Sequence, residues 1–84
     1  MQSVLFVFAG RGGAMALYDR CLAMGIRADV VNTPREVSAS CGISVRVHPA
    51  DYRAAHGLAT RIAAYVGAYA VQNTLSRRLV RRLD

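Results

Sequence analysis

The sequence predicts one small α+β domain whose elements follow the order β-α-β-β-α-β, with an amphipathic basic helix after the last strand. The chain has 84 residues, of which 54% are apolar, so it has the material for one layer of helices packed on one sheet. Short runs of β-branched and aromatic residues alternate with segments whose apolar residues recur at helical spacing. We therefore expect a domain over residues 1–72 and a helical tail over residues 73–84.

The first half of the chain predicts a strand, a helix and a second strand. Residues 4–8 read VLFVF and are apolar on both alternating faces, which indicates a central strand covered on both sides. Residues 13–25 predict a helix that ends at Gly25, since glycine is favoured just after a helix C-terminus. Residues 26–31 predict the second strand. The buried stripe of the helix is expected to be Ala14, Leu17, Cys21 and Met24.

The second half predicts a strand, a helix, a strand and the tail. Residues 42–48 alternate between apolar and polar side chains, and Pro49 suits the first turn of a second helix. The inner stripe of that helix is expected to be Tyr52, Ala55, Ala59 and Ile62. Residues 66–71 predict the fourth strand, and a continuing helix is the alternative for this alanine-rich segment. Residues 74–83 predict the amphipathic helix, with leucines on one side and arginines on the other.

This order of elements is the pattern of a ferredoxin-like sandwich. In that topology the first strand lies in the interior of the sheet, and the helices cover one face only. The other apolar face of residues 4–8 then needs a cover. We expect that cover to be the C-terminal helix or the second subunit of a homodimer.

The positive charge is concentrated at the end of the chain. The formal net charge is +6, and all 11 basic residues are arginines. Four of them lie within the last eight residues: Arg77, Arg78, Arg81 and Arg82. The charge thus belongs mainly to the tail and not to a face of the domain, so nucleic acid is not the expected partner of the domain. Binding of RNA or of an acidic protein through the tail is kept as an alternative.

Several classes of protein are disfavoured by what the sequence lacks. Its two cysteines do not make a disulfide framework, and no apolar run approaches the length of a membrane span. Because the N-terminal residues also do not resemble a signal peptide, we expect a cytoplasmic protein with reduced thiols and no membrane segment.

The chemistry-bearing motifs of common enzymes are incomplete. Residues 10–13 read GRGG after a strand, but Met15 stands where a dinucleotide-binding loop needs its third glycine. A weak anion site at the helix N-terminus is the remaining functional interpretation there. His48 and His56 lack metal-ligand spacing and cannot complete a Ser-His-Asp set. We expect the protein to bind no metal and no cofactor, and we do not expect it to be an enzyme in the usual sense.

The most informative segment is the loop TPREVSASCG at residues 33–42. Thr33 and Glu36 have the spacing of a capping box, and Pro34 takes the first helical position. We therefore expect one ordered helical turn, followed by Cys41 and by Gly42, a glycine that lets the backbone turn into the third strand. This arrangement would present a thiol in a defined place.

The loop resembles that of the Se/S carrier protein-like family, in which a strand is followed by T-P-R-x-[IV]-S-x-S-C-G and then by an alternating strand with a basic residue. The resemblance covers about residues 3–71 and is specific between residues 33 and 46. The chain departs from the family at Gly12 and Gly13, at His48 and in its arginine-rich tail. The matching residues are Thr33, Pro34, Arg35, Val37, Ser38, Ser40, Cys41, Gly42 and Arg46.

The resemblance implies that Cys41 is the acceptor of a sulfur or selenium atom, held as a persulfide or selenosulfide for transfer between a donor and an acceptor protein. Such a thiol must be accessible and ionised. Arg35 and Arg46 are the cations expected to lower its pKa, with Ser38 and Ser40 as hydrogen-bond donors. The C-terminal end of a helical turn would oppose ionisation.

Two other interpretations stay open at this point. Cys41 can equally be a small buried residue at the start of a strand, since free cysteine is among the most buried residue types. The domain would then be a small-ligand-binding or regulatory dimerisation module. Cys21, on the inner stripe of the first helix, is expected to belong to the core.

Overall fold

A computed structural model of the chain describes residues 2–37 and 42–84. It is an α+β structure with five strands and two α-helices, and its first elements follow the predicted order β-α-β-β-α-β. The elements are β1 (Gln2–Phe8), α1 (Arg11–Ala23), β2 (Ala28–Asn32), β3 (Ile43–Val47), a 3-10 turn (Pro49–Asp51), α2 (Tyr52–Ala59), β4 (Tyr65–Asn73) and β5 (Arg78–Arg82). Within the described residues, no helix has both the length and the hydropathy needed to cross a bilayer.

The strands form one antiparallel sheet in the order β2-β3-β1-β4-β5. The central strand β1 pairs with β3 on one side and with β4 on the other, so that Phe6 lies between Val45 and Ala68. This position agrees with the prediction that residues 4–8 form a central strand. The strand β4 also confirms the strand interpretation of residues 66–71 over the helical alternative.

Helix α1 is terminated at Gly25, as its sequence predicts, but one residue of its predicted buried stripe is exposed. Gly25 has a φ of 75°, and its N–H donates to the carbonyl of Leu22 at 3.1 Å. The N–H of Ile26 donates to the carbonyl of Cys21 at 2.8 Å, which completes a Schellman motif. Met24 was expected to be buried, but it is 67% exposed because it is the C-cap residue and lies beyond the last helical turn.

The main core lies between the sheet and the two helices. Val4, Phe6 and Phe8 of β1 face the helices and are buried. Phe6 stacks on Tyr52 with ring centroids 6.0 Å apart. The predicted stripes supply the helical side of this core, with Ala14, Leu17, Cys21, Ala55 and Ala59 fully buried and with Tyr52 and Ile62 packed at its margin.

The C-terminal segment is a β-hairpin, so the predicted basic helix over residues 74–83 is wrong. Strand β5 pairs with β4, and the Thr74 hydroxyl donates to the Arg77 carbonyl at 2.8 Å in the connecting turn. Leu75 is fully exposed and Leu79 is 42% exposed, so no leucine stripe is buried as a helix would require. An isolated helix of this length is marginal in water. Pairing instead satisfies the backbone N–H and C=O groups along the edge of β4.

Asp84 anchors the end of the hairpin to β4 and α2. Its Oδ1 accepts the N–H of Ala68 at 2.9 Å, and its Oδ2 lies 2.9 Å from His56 Nε2 and also accepts the hydroxyl of Tyr65. Burial acts to raise the pKa of Asp84, but the hydrogen bonds from Tyr65, Ala68 and His56 outweigh it and hold the pKa below its ordinary value. Burial and the bond to Asp84 raise the pKa of Tyr65.

The close approach of α1 to β1 depends on Gly13. A Cβ at this position would lie 2.8 Å from Phe8 Cδ2 and 3.2 Å from Ala64 Cβ, whereas a Cβ at Gly12 would meet nothing within 4 Å. We predict that Gly13→Ala lowers the free energy of unfolding by about 1–3 kcal/mol because Phe8 is buried and has no room to move. The matched variant Gly12→Ala should leave stability unchanged or raise it by up to about 1 kcal/mol. Urea denaturation measures both, and equal midpoints would contradict this packing role.

The anchoring of Asp84 predicts a pH dependence of stability. The pKa of Asp84 is lower in the folded state than in the unfolded state. Its contribution to the free energy of unfolding is therefore complete above the ordinary pKa of an aspartate, and it is lost as the pH falls through the lowered pKa of the folded state. We expect Asp84→Asn to cost about 1–3 kcal/mol at neutral pH. The difference in the free energy of unfolding between Asp84→Asn and the wild type should become smaller as the pH is lowered from about 5 to about 2. The exposed Asp19→Asn serves as the control, and a pH-independent difference for Asp84→Asn would refute the linkage.

Candidate functional site

One face of the sheet carries no helix from residues 2–37 or 42–84, and its central side chains are nevertheless buried. Side chains alternate along a strand, so Leu5 and Val7 of β1 point away from the helices, as do their cross-strand neighbours Arg46 and Ser44. We call this the helix-free face. Leu5 is 3% exposed, and Val7 and Ser44 are fully buried. Other parts of the chain must therefore cover this face.

The first half of the motif loop reaches over this face, because Glu36 bonds to Arg78, which by strand register points to the same side of the sheet as Leu5. Residues 34–37 form a turn in which the Val37 N–H donates to the Pro34 carbonyl at 3.0 Å. Pro34 and Val37 are both buried. Sequence reasoning had expected this face to be covered by a C-terminal helix or by a second subunit. The helix is not formed, because residues 78–82 are a strand, whereas the second subunit stays a prediction.

An ion pair ties this segment to the far edge of the sheet. Arg78 donates from Nε to Glu36 Oε2 at 3.0 Å and from Nη2 to Oε1 at 2.8 Å, which is a bidentate arrangement. Glu36 follows β2 and Arg78 begins β5, and these two strands are the opposite edges of the sheet. The hydrogen bond to Arg78, together with the backbone N–H of Glu36 itself, lowers the pKa of the Glu36 carboxyl. No sequence signal pointed to this pair, because its partners are 42 residues apart.

In the predicted capping box, the Glu36 carboxylate would accept the Thr33 N–H, but both groups have other partners. The Thr33 N–H donates to the Gly42 carbonyl at 2.9 Å, which closes the base of the loop between β2 and β3. The Thr33 hydroxyl lies 2.6 Å from the hydroxyl of the buried Ser44. Glu36 is engaged by Arg78, because a bidentate guanidinium is a stronger partner for a carboxylate than one backbone N–H. The predicted single turn is present, and tertiary contacts of Thr33 and Glu36 help to hold it.

A second arginine of β5 closes another part of the helix-free face. The Arg82 guanidinium lies over Gly67, where a Cβ would come 2.9 Å from Nη2, and it donates from Nη2 to the carbonyl of Val66 at 3.0 Å. Its Cζ also stands 5.7 Å from the centroid of the Tyr69 ring. Gly67 is therefore required for this approach, because any side chain there would displace the arginine.

The predicted site residues fall into three groups. Arg35 is exposed in the turn of residues 34–37, and the exposed Gly42 accepts the Thr33 N–H. The Cα atom of Arg46 lies about 13 Å from that of Gly42 along β3, because Arg46 is four residues farther along an extended strand. Its Nη2 is bonded to Asp29 Oδ2 at 3.0 Å. Cys41, Ser38 and Ser40 lie outside the described residues.

The glycines of the motif loop and of residues 10–13 lie in different surroundings. Gly42 lies at a bend just before β3, and a Cβ there would meet nothing within 4 Å. The GRGG sequence at residues 10–13 serves packing through Gly13. His48, a departure from the family pattern, caps the 3-10 turn by accepting the Ala50 N–H at its Nδ1, 3.0 Å away. Among residues 2–37 and 42–84, no three histidine, cysteine or acidic side chains are grouped to hold a metal.

Cys21 belongs to the core, as predicted. Its side chain is fully buried between α1 and the sheet, and it is a free thiol. Burial raises the pKa of Cys21, and the charge of Asp51 adds to that shift. Both effects keep the thiol protonated and unreactive.

Comparison with known protein families places the chain in one of them. A family model described as "Putative Se/S carrier protein-like" matches residues 3–66, which include the whole loop of residues 33–42. The chain belongs to this family. No curated protein and no solved structure matches the chain. The family match ends before Gly67, so β5 with Arg78 and Arg82 lies beyond it.

The burial of Cys21 gives a direct prediction about thiol chemistry. In a Cys41→Ser variant the remaining thiol should react with maleimide at least about 100-fold more slowly in native buffer than in urea, because it must await an opening of the core. Quenched labelling followed by mass spectrometry measures this ratio. The converse variant Cys21→Ala isolates Cys41 as the comparison. Rapid native labelling of Cys21 would contradict its placement in the core.

Proposed function

We propose that this protein carries a sulfur or selenium atom on Cys41, as a persulfide or selenosulfide, and passes it to an acceptor protein. The observation that carries the proposal is the family membership over residues 3–66, in which the Cys41 motif is included. In this function the protein transports an atom and does not turn over a free substrate, so we do not class it as an enzyme.

The described part of the loop supports such a role. Cys41 lies in a stretch of four residues that is flanked by Val37, which is buried, and by Gly42, whose carbonyl is bonded to Thr33. A carrier thiol has to meet two different proteins in turn. Anchored flanks favour this because they limit the region in which the thiol can be found.

The transfer chemistry requires no oxidant. The Cys41 thiolate attacks the outer sulfur of a donor persulfide, a new S–S bond forms on Cys41, the donor S–S bond breaks, and the donor leaves as its thiolate. Delivery repeats the same exchange with Cys41 as the leaving thiolate. For selenium, the donor holds the selenium atom in the outer position and Cys41 receives it as a selenosulfide.

The charges near the loop suggest which residues assist. Arg78 is neutralised by Glu36 and Arg46 by Asp29, whereas Arg35 is exposed in the same turn as the motif. We therefore propose Arg35 as the cation that most favours the Cys41 thiolate, with Arg46 in a lesser role. Ser38, Ser40 and Gly42 would contribute hydroxyl or backbone N–H groups to the bound atom.

We also propose a ferredoxin-like classification with β5 as an added strand. It is supported by the order β2-β3-β1-β4, in which each of the two crossover helices connects strands that have one other strand between them. The free thiol of Cys21 is compatible with the reducing cytoplasm that we propose as the location. A homodimer stays a prediction. Binding of RNA or of an acidic protein through the arginine-rich tail stays an alternative, with the arginines carried by a strand because residues 78–82 form β5.

The proposed function predicts a specific covalent product. Protein purified without reductant and incubated with a cysteine desulfurase and cysteine should gain one sulfur atom on Cys41, because only that thiol is expected to be exchangeable. Intact-mass and peptide mass spectrometry locate the added atom. The Cys21→Ala variant should load like the wild type, and the Cys41→Ser variant should not load. A wild type that gains no sulfur, or that gains it on Cys21, would overturn the proposal.

A further inference from the structure

We infer that Arg78 is a positioning residue: its ion pair with Glu36 straps residues 34–37 of the motif segment across the helix-free face and so keeps the segment that leads to Cys41 in one position when a protein donor docks. The second half of this inference rests on the proposed function. The first half, the strap itself, stands on the geometry of the described residues alone.

The geometry of the pair is directional. Two parallel N–H···O bonds of 3.0 and 2.8 Å join the guanidinium and the carboxylate, which fixes their relative orientation as well as their distance. The next residue after Glu36 is Val37, which is 5% exposed and bonded through its N–H to Pro34. The strap therefore acts on the residue that directly precedes the Cys41 stretch.

The base of the strap is itself held in place. Strand β5 pairs with β4 from Arg78 to Arg82, and its end is fixed by the Leu83 N–H to the Ala68 carbonyl at 2.8 Å and by the contacts of Asp84. Arg82 adds a donor bond of 3.0 Å to the carbonyl of Val66. Arg78 thus extends from a strand that is anchored at both ends, and it can transmit that position to Glu36.

The strap comes from a part of the chain that the family match does not include. The match covers residues 3–66, and Glu36 lies within it, whereas Arg78 lies twelve residues beyond its end. The C-terminal hairpin thus supplies a contact to the motif that residues 3–66 alone cannot make. We infer that the arginine-rich tail serves the motif in this way through Arg78.

The strength of the strap suits a reversible contact. The side chains of Arg78 and Glu36 are 41% and 40% exposed, so water and salt weaken their attraction. Such a pair opens and closes readily, and a partner protein with a charged surface can compete for either side chain. The motif segment is held in the free protein and can be released on contact.

The test uses charge reversal in the full-length protein. Arg78→Glu removes the strap, the double variant Glu36→Arg/Arg78→Glu restores it with the charges exchanged, and Arg81→Glu makes the same charge change on the same strand, where Arg81 faces the opposite side of the sheet. Hydrogen exchange of the Val37 amide reports the strap directly. Arg78→Glu should accelerate this exchange on the order of 5-fold, and the double variant should return it toward the wild type.

A pair of thiol measurements reports the consequence for Cys41. Sulfur loading from a desulfurase should slow at least about 3-fold in Arg78→Glu, because the donor must dock against a segment in one position. Alkylation by iodoacetamide, which needs no docking, should not slow. Loading should recover in the double variant and stay normal in Arg81→Glu. If Arg78 only stabilised the fold, its replacement would not slow sulfur loading while leaving alkylation by iodoacetamide unslowed.

The outcomes distinguish the strap from the carrier function. Unchanged Val37 exchange in Arg78→Glu, no recovery in the double variant, or an equal effect of Arg81→Glu would each overturn the strap. Normal loading in spite of accelerated exchange would overturn the positioning role. A wild type that never accepts sulfur, with the exchange behaving as expected, would overturn the proposed function and leave the strap supported.

Discussion

The burial of β1 on both of its faces is the constraint from which the rest of the structure follows. Val4, Phe6 and Phe8 need a cover on one side, and Leu5 and Val7 need one on the other. Each of these large side chains stabilises the fold by about 1.5–3 kcal/mol when buried, so neither face can be left to water in so short a chain. The helices supply one cover. The motif segment and the arginines of β5 contribute to the other.

This arrangement gives the motif loop a structural role beside the chemical role that we propose for it. Pro34 and Val37 are part of what closes the helix-free face, and Glu36 connects the same segment to the far edge of the sheet. The conformation of the segment that leads to Cys41 is therefore linked to the packing of the central strand. A loop that only presented a thiol would not need buried anchors. A thiol that must be found by two successive partners benefits from them.

The features that the sequence predicted correctly are those set by local pattern. Alternation marked the strands, helical spacing marked Cys21 as a core residue, and Gly25 ended its helix through a positive φ. The predictions failed where the conformation of a segment depends on a residue or strand far away in the sequence. The leucines of the tail recur at a spacing of four and suggested a helix, but the open edge of β4 drew the segment into the sheet. Glu36 had the spacing of a cap and was taken by Arg78, which no local rule could anticipate.

The central claim is that Cys41 both holds and releases a sulfur or selenium atom. It is tested most directly by loading the Cys21→Ala protein from isotopically labelled cysteine through a desulfurase, removing the donor, adding an acceptor thiol protein and following the label by mass spectrometry. We expect the label to reside on Cys41, to move to the acceptor and to leave Cys41 as an intact thiol that can be loaded again. A label that never reaches Cys41, or that remains there when the acceptor is added, would contradict it.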